Sequence, residues 1–286
     1  MVDKYSAVWV SHTSISDFLK CPRAYFLKNV YKDPTRGHKI KVMTGSLALG
    51  QAVHEVLESL SVLPAGNRFK TPLSDLFATA WQKVEGIKGG FTSPESERKY
   101  RLRGEEMIAR VARVKGFLLN PAVKISMDLP HFWLSETDGI ILCGKIDWLE
   151  YLPATDSVHI IDFKTSRYDE DPNSLQLPIY HLLVHHCQHR QVSKASYWYL
   201  DRTDILEPKP LPDLEISTDK LLKIAKKIKL ARQLQHFVCP TSGCPNCQPF
   251  EDIIAGKAKF VGTDSMHYDV YIKADNSTDE PGSVIL

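Results

Sequence analysis

From Val158 to Lys164 the chain reads Val-His-Ile-Ile-Asp-Phe-Lys, a β-branched apolar run that closes on two opposite charges. Such a run is a strand, and strand side chains alternate between faces. Asp162 and Lys164 therefore share one face, about 7 Å apart along the chain, while Ile161 and Phe163 take the other. A carboxylate on a half-buried strand is costly unless another charge, water or a metal satisfies it. The fold must therefore cover this sheet and bring partners to the strand's end. Gly144-Lys-Ile-Asp147, on the strand before and joined by a short connection, supplies a second carboxylate.

Around this strand the periodicity changes from helical to extended. Ser14-Ile-Ser-Asp17 has the form of a helix start, and Phe18, Leu19, Ala24, Phe26 and Leu27 follow at near-helical spacing. From Leu47 to Val62 the residues Leu49, Val53, Val56, Leu57 and Leu60 predict an amphipathic helix with His54 and Glu58 on one face. Further helices are expected near Leu73 to Val84 and Glu95 to Leu119. Val123 to Ser135, Ile140 to Leu152 and Val158 to Lys164 predict strands in an antiparallel meander, turning at Glu136-Thr-Asp-Gly139 and Pro153-Ala-Thr-Asp156. A helix over Asn173 to Gln188, a strand over Ala195 to Leu200 and a helix over Thr218 to Phe237 follow. The polar end from Asp275 to Gly282 is expected to be disordered.

Two carboxylates and an ammonium at one spot are legible as phosphodiester hydrolysis chemistry. Carboxylate oxygens suit Mg²⁺ or Mn²⁺, which polarise a phosphate and acidify a bound water, and a lysine offsets the developing negative charge. His54-Glu-Val-Leu-Glu58 does not complete a zinc-protease motif, because position 58 is Glu rather than His. Gly-x-x-Asp, an apolar run into Asp-x-Lys-Thr and then Gln176-Leu-Pro-Ile-Tyr180 together resemble the PD-(D/E)XK nuclease superfamily, in particular its RecB-like branch. That resemblance implies an α/β, restriction-endonuclease-like core: a central mixed β-sheet flanked by helices, with a helical N-terminal part and a Cys-rich C-terminal segment. It implies catalytic or supporting roles for Asp147, Asp162, Lys164, Gln176 and Tyr180. Metal ligation falls on His54 of the Gly50-x-x-x-His54 helix, on Asp147 and Asp162, and on the Phe163 carbonyl. Ile146 stands where the superfamily's name has Pro.

Six cysteines are unusual in a reducing compartment, where catalysis, metal binding or burial must explain them. Cys239, Cys244 and Cys247 sit in one Pro/Gly-rich loop, and Cys21 in Cys-Pro-Arg-Ala-Tyr25 is the candidate fourth ligand. Four thiolates suit Zn²⁺ or an iron–sulfur cluster. The pattern resembles RecB-like nucleases of the AddB and CRISPR-associated type, which implies a [4Fe-4S] cluster held by Cys21, Cys239, Cys244 and Cys247. Here the four-residue gap precedes the two-residue gap, the reverse of the family's usual order. Cys143 and Cys187 lack such spacing. The same resemblance predicts one nuclease domain over 1–256: a helical part about 11–120, a catalytic core about 121–200, and a helix and Cys loop about 215–250. Residues 257–286 are then a partly disordered extension.

Charge alone does not name a partner: 36 Lys and Arg against 34 Asp and Glu leave +2, so any contact with nucleic acid depends on distribution. Candidate basic faces are Lys220, Lys223, Lys226, Lys227, Lys229 and Arg232 on the late helix, and Arg98, Lys99, Arg101, Arg103, Arg110, Arg113 and Lys115 earlier. His181, His185 and His189 recur every four residues, a stripe read here as solvated or substrate-facing rather than metal-binding. No apolar stretch reaches the roughly 18 residues of a spanning helix, and Asp3, Lys4 and Tyr5 interrupt any leader, so a cytoplasmic protein without a membrane partner is expected. The implied partner is DNA, single-stranded or with free ends. Without a helicase motif, unwinding falls to a helicase or other repair or adaptation protein.

Overall fold

All eight residues of the strand Ser157–Lys164 are buried in the computed structural model of the chain, which describes residues 3–273. In chain order the elements are β1 (Val8–Val10), α1 (His12–Lys20), α2 (Pro22–Tyr25), β2 (Lys39–Val42), α3 (Gly45–Ser61), α4 (Leu73–Gln82), α5 (Pro94–Val114), β3 (His131–Ser135) and β4 (Ile140–Cys143). They continue with β5 (Trp148–Leu152), β6 (Ser157–Lys164), α6 (Gln176–Cys187), β7 (Gln191–Tyr199), β8 (Glu207–Lys209), α7 (Leu214–Gln233), α8 (Gln248–Ile254), β9 (Ala258–Thr263) and β10 (Tyr268–Lys273).

The central sheet has the order β5-β6-β7-β8 and is mixed: β6 runs antiparallel to β5 and parallel to β7, and β8 is antiparallel to β7. The parallel pair is joined through α6, because parallel neighbours need a crossover. Alternation along β6 sorts its side chains into two cores. Ile161 and Phe163, with Trp148 and Trp198, pack under α3, α4 and α5. Val158 and Ile160 pack against α6 and α7. The mixed sheet flanked by helices, the helical N-terminal part and the Cys-rich C-terminal segment are those of a restriction-endonuclease-like fold. Among the described residues no helix is long and apolar enough to cross a membrane.

Several expected boundaries move. The first helix begins a turn earlier than Ser14, because Ser11 and Ser14 form a reciprocal capping box. Asp17 is instead buried and takes the Lys28 ammonium at 2.7 Å. The stretch expected as one helix to Leu119 stops at Val114, where Lys115 adopts φ 47°, and a 3-10 turn finishes it.

The expected meander is divided between two sheets. β4 pairs with both β3 and β1 in one sheet, whereas β5 belongs to the central sheet. The chain changes sheet at Gly144, where an added Cβ would lie 2.9 Å from Leu183 Cδ1 on α6. Only the last part of Val123–Ser135 is a strand; before it Val123 N–H donates to the Leu149 carbonyl at 2.8 Å and the chain loops out to Pro130. Residues 258–273 form a β9–β10 hairpin that pairs in parallel with β2, which the sequence reading does not anticipate. The polar end from Asp275 to Gly282 lies outside the described residues.

Candidate active site and cysteine centre

The pleat of β6 places Asp162 and Lys164 on one face, and their groups meet: Lys164 Nζ lies 2.9 Å from Asp162 Oδ2. Asp147, one residue before β5, turns back so that its Oδ2 accepts the Phe163 N–H at 3.0 Å. That bond is the cross-strand tie that brings the second carboxylate to the end of β6. From α3, His54 Nδ1 reaches to 3.6 Å from the same Asp147 Oδ2. Gln176, the first residue of α6, donates its amide N–H to Asp162 Oδ1 at 2.7 Å and to the Tyr180 hydroxyl oxygen at 3.1 Å. Its amide oxygen accepts from the Lys164 ammonium. The structure thus assembles every expected active-site residue within one contiguous set of contacts.

Burial dominates the electrostatics. It pushes the Asp147 carboxyl up to about 6 and, together with the neighbouring Asp147 charge, the Asp162 carboxyl up to about 7. Burial also holds the His54 imidazolium down and the Tyr180 phenol well above its usual range. Burial opposes the Lys164 charge too, but Asp162 and Glu170 outweigh it and raise its pKa. Despite the nearby ammonium, Asp162 Oδ2 is buried with no hydrogen-bond partner among the described residues. Two crowded, desolvated carboxyls, one with an unbonded oxygen, and an imidazole form a donor set deficient in positive charge. It fits a hard divalent cation.

One participant was not foreseen. Glu170, in the connection after β6, lies 2.8 Å from Lys164 Nζ. The Glu170 backbone N–H donates to the Tyr199 hydroxyl at 3.0 Å, which fixes the connection over the site. An acidic residue in an irregular loop carries no periodic signal, so only its distance from Lys164 identifies it.

The cysteines divide as their spacing suggests. The sulfurs of Cys21, Cys239, Cys244 and Cys247 all lie within 4.8 Å of one another. Backbone N–H groups of Ala24, Gly243 and Cys244 each donate to one of these sulfurs at 3.4 Å. The backbone N–H groups of Thr241 and Gly243 hold the Cys239 thiol down to about 6, whereas burial pushes Cys21 up to about 12. Four converging thiols with N–H support fit a thiophilic metal centre. Arg23 and Glu251, 228 residues apart in sequence, pair beside it at 2.5 Å. Cys143 and Cys187 lie apart from this group, their thiols donating to the carbonyls of Val10 and His131.

The basic faces fare differently. Arg101, Arg103, Arg110 and Arg113 on α5 are all ion-paired, the last three to Asp201 or Asp204 beyond β7. Arg103, Arg110 and Arg113 thus tie the helix to the segment after β7, and Arg101 pairs with Glu105 on α5 itself. On α7, Lys226 pairs with Asp138 at 2.9 Å. In the histidine stripe His181 Nδ1 bonds to the Pro212 carbonyl oxygen at 2.8 Å. A sequence model of the PD-(D/E)XK nuclease superfamily matches residues 9–249. No curated protein matches the chain.

Proposed function

The chain belongs to the PD-(D/E)XK nuclease superfamily, and we propose that it is a divalent-metal-dependent deoxyribonuclease of the RecB-like branch, acting as an exonuclease on DNA ends in repair, recombination or CRISPR adaptation. The convergence of Asp147, Asp162 and Lys164 on one end of β6 carries this reading. Residues 1–256 are read as one nuclease domain, a view supported by the span of the family match.

Asp147, Asp162, His54 and the Phe163 carbonyl would hold Mg²⁺ or Mn²⁺. When bound, the ion supplies Lewis-acid polarisation of the scissile phosphate and lowers the pKa of a coordinated water. Lys164 sets an ammonium against the negative charge that gathers on the phosphate oxygens. Gln176 orients both Asp162 and Lys164 through one amide, and Tyr180 braces that amide. Asp162→Ala and Lys164→Ala should each abolish cleavage of end-labelled DNA while leaving the fold and the metal content of the cysteine centre intact. Full activity in both variants would falsify the mechanism; a wild-type protein inert on single- and double-stranded DNA with Mg²⁺ and Mn²⁺ points to a binding module instead.

The family resemblance favours a [4Fe-4S] cluster on Cys21, Cys239, Cys244 and Cys247. Zinc is the alternative occupant, since four converging thiolates also suit a tetrahedral Zn²⁺. Anaerobic purification separates the two: iron with labile sulfide and a brown colour identifies the cluster, and stoichiometric zinc in a colourless protein removes it.

A further inference from the structure

A pocket of about 350 Å³ opens among the N-terminal elements and the end of α7, and none of its lining residues belongs to the carboxylate site or the cysteine centre. Its size is at the low end of the range of about 300–1,000 Å³ typical of ligand clefts. Tyr5 and Trp9 line it from the side of β1, Tyr25 from α2, Lys39 from β2 and Arg232 from the last turn of α7. No Asp or Glu is among the lining residues.

Lys39 and Arg232 thus share one pocket, and neither takes part in an ion pair among the described residues. Burial, Arg232 and Lys32 together hold the Lys39 ammonium below its usual pKa. Asp17 on α1 does not relieve them, since Lys28 and Asn29 already take it at 2.7 and 3.3 Å. The Tyr268 ring, 5.9 Å from Lys39 Nζ, is a weak substitute for a counter-ion. A cation in the last turn of α7 suits the helix dipole, which accounts for Arg232 on its own helix but not for a lysine brought to the same pocket. The N-terminus of α1 adds to the positive field: Ser11 and Ser14 of its cap line the pocket, and its first turn carries no acidic residue. Two half-buried like charges without a partner leave a deficit that a bound anion fills.

Two cations match one phosphomonoester, which carries about −1.5 to −2 charges at pH 7. A strand repeats a single charge at every nucleotide, and two cations at one point do not follow it. The remaining lining is aromatic. Tyr5 is 86% exposed, and the Trp9 indole N–H donates to the Lys4 carbonyl at 2.9 Å, which fixes the ring in the lining. A flat organic group has surfaces there to pack on. We propose that this pocket binds a small phosphomonoester with a flat organic group, of the class of the nucleoside monophosphates, its phosphate between Lys39 and Arg232 and its ring against Trp9. Nothing in this pocket depends on the nuclease reading, since none of that site's residues lines it.

The test uses the full chain with its metal centre, in phosphate-free buffer without added divalent metal, and titrates AMP, adenosine and inorganic phosphate by calorimetry. AMP should bind once per chain and more tightly than either of the other two. Lys39→Met and Arg232→Gln should each weaken AMP binding by about tenfold or more, as for one lost charge-assisted hydrogen bond. Asp162→Ala should bind AMP as the wild type does, which separates the pocket from the carboxylate site. Without ligand, Lys39→Met should melt no lower than the wild type, because it removes one of two like charges; a lower melting temperature makes the lysine structural and overturns the proposal. So does a wild type that binds no AMP, normal binding in both pocket variants, or lost binding in Asp162→Ala. Phosphate or adenosine binding as tightly as AMP removes one half of the ligand, and a 5′-phosphorylated single-stranded oligonucleotide that displaces AMP at equal concentration makes the site a reader of strand ends; either result overturns the assignment to a small phosphomonoester.

Discussion

Lys164 is held from three sides, by Asp162, Glu170 and Gln176, and an ammonium has only three N–H donors. A metal that engages Asp162 leaves Glu170 and Gln176 to aim the remaining donor. In the proposed mechanism Glu170 would therefore position Lys164. Glu170→Gln keeps size and removes the charge, and should lower kcat about tenfold, or about 1.4 kcal/mol, with KM nearly unchanged. Steady-state kinetics on end-labelled DNA, with Glu170→Asp restoring part of the rate, checks this; an unchanged kcat refutes it. A second polar group shows how residue type can mislead. Ser196, His159 and Glu150 form a chain with 2.8 Å links that resembles a hydrolase triad, yet Ser196 is 4% exposed. On the opposite pleat of β6 from Lys164, this network satisfies buried groups within the sheet.

At the scale of elements, regular strands were legible where neighbours on both faces agreed with their own alternation, as in β6. They were not legible where a partner decided. β9 and β10 exist as strands because β10 pairs with β2, more than two hundred residues earlier. The tie at this junction is Asp269 on β10, fully buried, with His38 Nδ1 at 3.0 Å and the Thr263 hydroxyl donating at 2.9 Å. Burial alone would raise its pKa, but His38 and Thr263 outweigh burial and hold it below the usual carboxylate value. A depressed folded pKa contributes stability that is present above the unfolded value and lost as pH falls through the folded one. Asp269→Asn should therefore destabilise the protein near neutrality, and the difference should shrink below about pH 4. Urea unfolding of both proteins across that range measures it; a pH-independent difference would show that the carboxylate charge is irrelevant.

At the scale of the molecule, the cysteine centre joins α2 to the segment before α8, with Cys21, Ala24, Leu27, Ile40, Cys247, Phe250 and Ile253 in one small core. This core is separate from the two that cover the central sheet, so the segments around Cys21 and Cys247 depend on it. Cys244→Ser, or removal of the metal by a chelator, should lower the melting temperature by several degrees, since about 1 kcal/mol shifts a domain of this size by roughly 2–4 °C. The segments around Cys21 and Cys247 should become open to protease while β5–β7 stay protected. Calorimetry and limited proteolysis report both effects, and an unchanged melting profile would exclude a stapling role.

What the amino-acid sequence determined by itself is local. The pleat puts Asp162 and Lys164 on one face, the helical period puts His54 on one side of α3, and the loop spacing groups three cysteines. These follow from periods of two and 3.6 residues, which act over a few bonds. Tertiary structure alone decided that Asp147 turns back to the Phe163 N–H, that Glu170 reaches Lys164, that the meander divides at Gly144 and that Lys39 and Arg232 line one pocket. Each depends on which distant surfaces pack together. That choice is made by the burial of whole faces, not by any one segment's periodicity.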